Sequence, residues 1–112
     1  MPQDGEPFGG DVLRIESGHD CTRVTITLEG EFDMTGTERF WAFVDEALAA
    51  DPRAIIVDGR GLEFVDSSGL MALLRARDAA VEAGVTFAIR HPSAALRRIV
   101  ELCGLEELLA PE

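Results

Sequence analysis

The run Ala54-Ile55-Ile56-Val57-Asp58-Gly59 limits what this chain can fold into more than any other stretch. Its apolar residues are continuous where a half-wet strand would alternate, so they describe a strand covered on both faces. The stretch that follows, GLEFVDSSGLMALLRARDAA at 61–80, passes through Asp66-Ser67-Ser68-Gly69 into a helix carrying Leu70, Leu73, Leu74 and Val81, with Gly84 as its stop. VTFAIR at 85–90 then reads as another buried strand. Strand, helix and strand in that order make a parallel pair joined by a right-handed crossover.

The rest of the chain fits the same architecture. DVLRIE and CTRVTITLEGEF alternate apolar with polar residues and predict two half-buried strands, the second facing the core with Val24, Ile26 and Leu28, and SGHD as the turn between them. MTGTERFWAFVDEALAAD sets Phe40, Val44, Ala47 and Leu48 at helical spacing, offers Thr35 or Thr37 as N-cap, and stops at Pro52. Trp41, near Val44 and Leu48, is expected in the core. Ser93 is placed to cap a last helix striped by Leu96, Ile99, Val100 and Cys103, and EELLA can add at most a short strand.

The fold class is therefore α/β: a mixed, mostly parallel sheet of four to five strands with helices packed against it. A chain of 112 residues, 46% hydrophobic, suits one domain that buries about 65% of its unfolded surface. Gly5, Pro7, Gly9 and Gly10 mark residues 1–10 as a flexible leader, leaving 11–112 as the domain.

Several function classes are excluded by content. A net charge of −11, with 21 acids against 10 bases and no lysine, opposes a nucleic-acid partner. No run approaches the roughly 18 apolar residues of a membrane span, and the N-terminus has no secretory pattern, so a cytoplasmic protein without a membrane partner is expected. Cys21 and Cys103 lack the spacing of a metal or redox site and are expected to be buried or idle, with no metal or cofactor.

Ends of parallel strands line up along one edge of an open α/β sheet, where ligands bind. Asp33 follows one strand, Asp58 closes AIIVD, and Asp66 with Ser67 and Ser68 opens the helix beyond it. Aspartate and serine are also ordinary helix caps and loop residues, so each has a purely structural explanation. Gly69 is harder to explain that way. In the first helical turn it costs about 1 kcal/mol against alanine, which implies a close approach to the backbone. A serine hydrolase is disfavoured: Val65 or Asp66 stands where a nucleophile elbow requires glycine, and His19 and His91 are the only possible bases.

GEFD at 30–33, IIVDGRGLEFVDSSGL at 55–70 and HPSAALRRIVELCGL at 91–105 together resemble the STAS domain family, and within it the anti-sigma factor antagonists of bacteria. The resemblance implies a regulatory protein without catalysis of its own. It implies binding to an anti-sigma factor that is also a serine kinase, which frees a sigma factor. It further implies that Ser67 is the phosphorylated serine, with Asp33 and Asp58 as nearby acids and a phosphatase restoring the active form. Ser68 and Gly69 are expected to serve the turn and the close approach. A STAS scaffold or transport-complex subunit that is never phosphorylated is the alternative.

A phosphate on Ser67 would bring a charge of about −1.5 to −2 to a helix N-terminus, which favours anions, while Asp33, Asp58 and Asp66 would repel it. Ser67 is expected both to cap the helix and to accept the phosphate. The modification is expected to act at the interface with little change in the domain.

Overall fold

The computed structural model of the chain describes residues 13–110. The expected leader at 1–10 and the expected strand start at Asp11 lie outside those residues. Four strands form one sheet in the order β1-β2-β3-β4. They are β1 (Leu13–His19), β2 (Arg23–Phe32), β3 (Ala54–Val65) and β4 (Thr86–Arg90). β1 runs antiparallel to β2, while β2 with β3 and β3 with β4 are parallel. The helices are α1 (Thr37–Ala49), α2 (Ser67–Glu82) and α3 (Ala94–Leu102). α1 and α2 pack on each other, and α3 lies against β3. This is the α/β domain the sequence predicts.

The first turn is displaced from SGHD. β1 continues through Ser17, Gly18 and His19, and the chain reverses at Asp20-Cys21-Thr22. Asp20 decides the position, because its Oδ1 accepts from the backbone N–H groups of Thr22 (3.1 Å) and Arg23 (3.0 Å). Those bonds, the one from Thr22 first, hold its carboxyl below the usual value of 3.8. Beyond it Val24, Ile26, Leu28 and Phe32 are all buried, as alternation requires.

Neither Thr35 nor Thr37 caps α1. Asp33 instead caps a 3-10 turn at Met34–Gly36, accepting from Thr35 N–H at 2.9 Å and Thr35 Oγ1–H at 2.6 Å. Thr37 donates its hydroxyl to the Met34 carbonyl at 3.0 Å. Gly36 completes the entry because a Cβ there would sit 2.7 Å from Leu13 Cδ2. Phe40, Val44 and Ala47 then face the core, where the Phe40 ring meets Phe32 edge-on at 5.2 Å. Trp41 is only half-buried, and the Arg75 guanidinium lies 5.6 Å from its ring centroid, so it joins α1 to α2 at the rim of the core.

β3 is twice the length of AIIVDG, running 12 residues through both Gly59 and Gly61. These glycines allow close packing where the sequence suggested an ending. A Cβ at 61 would meet Glu29 Cγ at 2.7 Å, and one at 59 would meet Leu96 Cδ2 at 2.6 Å. Two register shifts against β2 accommodate the extra length. Ile55, Ile56 and Val57 are buried in succession, so β3 is covered on both faces.

α2 buries Leu70, Leu73, Ala76 and Ala80, whereas Val81, expected on that stripe, is 62% exposed. The small alanines define the buried face more accurately than the large residues do. Gly84 ends the helix with a left-handed φ of 76°. Ser93 caps α3, its Oγ accepting from Leu96 N–H at 3.1 Å. Leu96 and Val100 are buried, but Cys103 leaves the stripe at the helix end, and both cysteines are exposed free thiols. The last residues make a single parallel bridge, Leu109 to Ile89, so the fifth strand is reduced to one pair.

Candidate functional site

β2 and β3 end side by side, with Phe32 paired to Val65. Asp33 and Asp66 are the next residues on the two chains. The N–H of Asp66 donates to the Phe32 carbonyl at 3.2 Å, which ties the start of α2 to the end of β2. Asp66 is the N-cap of α2, its Oδ1 accepting from Gly69 N–H at 3.0 Å and its carbonyl from Leu70 N–H at 3.0 Å.

Ser67 is therefore not the cap. It occupies the first helical position, exposed, and Ser68 the second, half-buried. Neither side chain nor backbone N–H of these two residues has a hydrogen-bond partner among the described residues. The cap passes to Asp66 because it holds the extended N-cap conformation, φ −103° and ψ −172°, from which its carboxylate meets the third helical N–H, whereas Ser67 is already helical. A hydroxyl released from capping stands in solvent beside two open N–H donors, an arrangement suited to receiving an anion.

The close approach implied by Gly69 is made by the chain itself. A Cβ at this position would lie 2.5 Å from the Phe32 carbonyl oxygen and 3.0 Å from Phe32 Cγ, so the glycine is buried against β2. Gly69 thus fixes the helix on the strand end.

Asp58 is not part of this group. It sits mid-strand, opposite Thr27 on β2 and Arg90 on β4, and its Oδ1 accepts from Arg60 N–H at 3.0 Å. Val65 is seven residue steps further along the strand, which is about 23 Å at 3.3 Å per step. The error follows from ending the strand at Gly59. Asp33, Asp66, Ser67, Ser68 and Gly69 do come together where β2 and β3 end.

Neither histidine reaches Ser67 as a base. His19 pairs with Val24 at the start of β2, the opposite end of that strand from Phe32, and His91 is exposed just beyond the Arg90 that pairs with Asp58. Among the described residues no cluster of His, Cys, Asp and Glu is placed to hold a metal ion.

Three apolar residues beside the site escaped the sequence reading. Met34 follows Asp33 and is 70% exposed, Phe64 precedes Val65 at 47%, and Met71 is 52% exposed. Met71 lies four residues beyond Ser67 and so shares its helix face, which was the available signal.

Similarity to known proteins identifies the family and the fold. The family model described as "Mlab, STAS domain" matches residues 16–110. A STAS-domain containing protein of Pseudomonas aeruginosa is 32% identical over 89 residues, covering 80% of this chain and 87% of that protein. The crystal structure of an anti-sigma factor antagonist from Mycobacterium paratuberculosis shares the fold with a TM-score of 0.78 at 22% identity, over 88% of this chain and 84% of that one. The unphosphorylated form of the anti-sigma factor antagonist SpoIIAA aligns with a TM-score of 0.70 at 28% identity, over 87% and 86% of the two chains. Bacillus SpoIIAA in its phosphorylated form aligns at 0.65 and 27%, over 87% and 89%.

Proposed function

The chain belongs to the STAS domain family, and from that premise we propose that it is an anti-sigma factor antagonist switched off by phosphorylation of Ser67. In its unmodified form it binds an anti-sigma factor that is also a serine kinase, and a sigma factor is released. The kinase transfers phosphate to Ser67, the modified antagonist dissociates, and a serine phosphatase restores it. The protein contributes no catalysis of its own and works in the cytoplasm. No helix among the described residues is long and apolar enough to cross a membrane.

The observation that carries this reading is the division of labour between Asp66 and Ser67. Asp66 holds the helix start, so the Ser67 hydroxyl is exposed and its modification removes no structural hydrogen bond. A phosphate there meets the free N–H groups of Ser67 and Ser68, with the positive end of the helix dipole behind them. Similarity to SpoIIAA, solved both without and with phosphate, supports the same reading. The domain accommodates the charge and the partner does not. The exposed Met34 and Met71 beside it favour an interface in which a new dianion is costly to desolvate.

The test is mass spectrometry of the protein after incubation with candidate anti-sigma kinases and Mg-ATP, comparing wild type with Ser67→Ala. Modification lost in that variant supports the assignment. Modification that persists moves the site to Ser68, and none with any kinase, or in protein recovered from its own cells, favours a STAS scaffold or transport-complex subunit.

A further inference from the structure

β4 stops where Arg90 pairs with Asp58, and Ser93 N–H then takes the Gly59 carbonyl at 3.1 Å. From Arg60 onward β3 has β2 on one side and, among the described residues, no strand on the other. Between that open edge and α3 lies a groove of about 330 Å³, lined by Glu63, Phe64 and Val65 from β3 and by Arg98, Ile99 and Leu102 from α3. Its walls are mostly apolar, and Leu102 is 78% exposed at its lip. Arg98 has no ion pair or hydrogen bond among the described residues, although the chain carries eleven more acids than bases and the neighbouring Arg97 is paired with Glu101.

We infer that this groove is a docking site for an extended segment of a partner protein, one that presents a large apolar side chain next to a carboxylate. The three requirements come from three features of the groove. An unpaired strand edge offers backbone hydrogen bonds to an extended chain and to no helix. The space beside Phe64, Ile99 and Leu102 has the volume of a leucine or phenylalanine side chain with room for its backbone. Arg98 on the α3 wall supplies the positive charge that selects a carboxylate beside that residue, while Glu63 on the β3 wall keeps the carboxylate to the α3 side. The groove ends at Val65, two residues before Ser67, and its recognition of a segment does not rest on the phosphorylation reading.

The test uses two capped pentapeptides, Ser-Val-Leu-Asp-Ser and Ser-Val-Leu-Lys-Ser, titrated into isotope-labelled protein and followed by NMR. Saturable shifts confined to residues 60–65 and 95–102 are expected, with the Asp peptide binding about threefold more tightly, the size of an exposed ion pair. Arg98→Glu, at an exposed position, should reverse that preference, and Leu102→Ser should weaken both peptides. No shifts at millimolar peptide, shifts centred elsewhere, or equal affinity for the two peptides would overturn the inference. So would dilution-dependent shifts of the same residues without peptide, which would mean that a second copy fills the groove.

Discussion

Phe32 and Asp66 are joined by the 3.2 Å hydrogen bond from the Asp66 N–H to the Phe32 carbonyl, and the same carbonyl oxygen lies 2.5 Å from where a Cβ on residue 69 would be. One backbone group therefore sets both the first residue of the turn and the depth at which the helix sits. The Phe32 side chain is fully buried against Phe40, so this reference point belongs to the core.

Gly69→Ala should destabilise the domain although alanine is the better helix former by about 1 kcal/mol. The added carbon meets strand backbone, which cannot rotate away, so a net loss of about 1–3 kcal/mol is expected in urea unfolding. A stabilised variant would show that α2 can lift off β2 freely.

Asp66→Ala and Ser67→Ala should separate sharply. Removing the cap costs about 1 kcal/mol, and for a domain of this size that is a fall in Tm of roughly 3–6 °C. Ser67→Ala loses no hydrogen bond and should stay within about 0.5 kcal/mol of wild type. Calorimetry of the pair checks both values, and equal Tm losses would return the cap to Ser67.

Asp58→Ala should leave the rate of Ser67 phosphorylation within about twofold, because some 23 Å of strand lies between them. A kinase assay on wild type and variant measures it. A large fall in rate, with the fold intact by circular dichroism, would put Asp58 in the partner's footprint.

The β1–β2 turn should open in acid. The Asp20 carboxyl titrates below its usual 3.8 because its ionised form accepts from Thr22 and Arg23 N–H. A depressed folded-state value means that the contribution to stability is present above 3.8 and disappears as pH falls through the lower one. The amide resonances of Thr22 and Arg23 should shift in that range, and Asp20→Ala should abolish the transition.

Much of this fold can be read directly from the chain. Unbroken burial at Ile55–Val57 and Ser93 before Leu96 each have one physical meaning, and both hold. Where the reading failed, a residue had two uses and only the tertiary partner chose between them. Gly59 is a turn signal or a point of close approach, and the Leu96 side chain makes it the latter, which lengthens β3 and moves Asp58 away from the site. Asp66 and Ser67 are both competent caps, and the bond from Asp66 to Phe32 selects the first. Cys103 and Val81 are apolar enough for a stripe but stand where no neighbouring element covers them.

The exposed side chains of Met34 after β2, Phe64 near the end of β3 and Met71 on α2 play no part in the buried cluster that holds Phe32 in place. Sequence drift at these positions is consequently free of the penalty that confines core residues. Duplicated copies of such a domain can diverge in whom they meet while keeping one shared chassis.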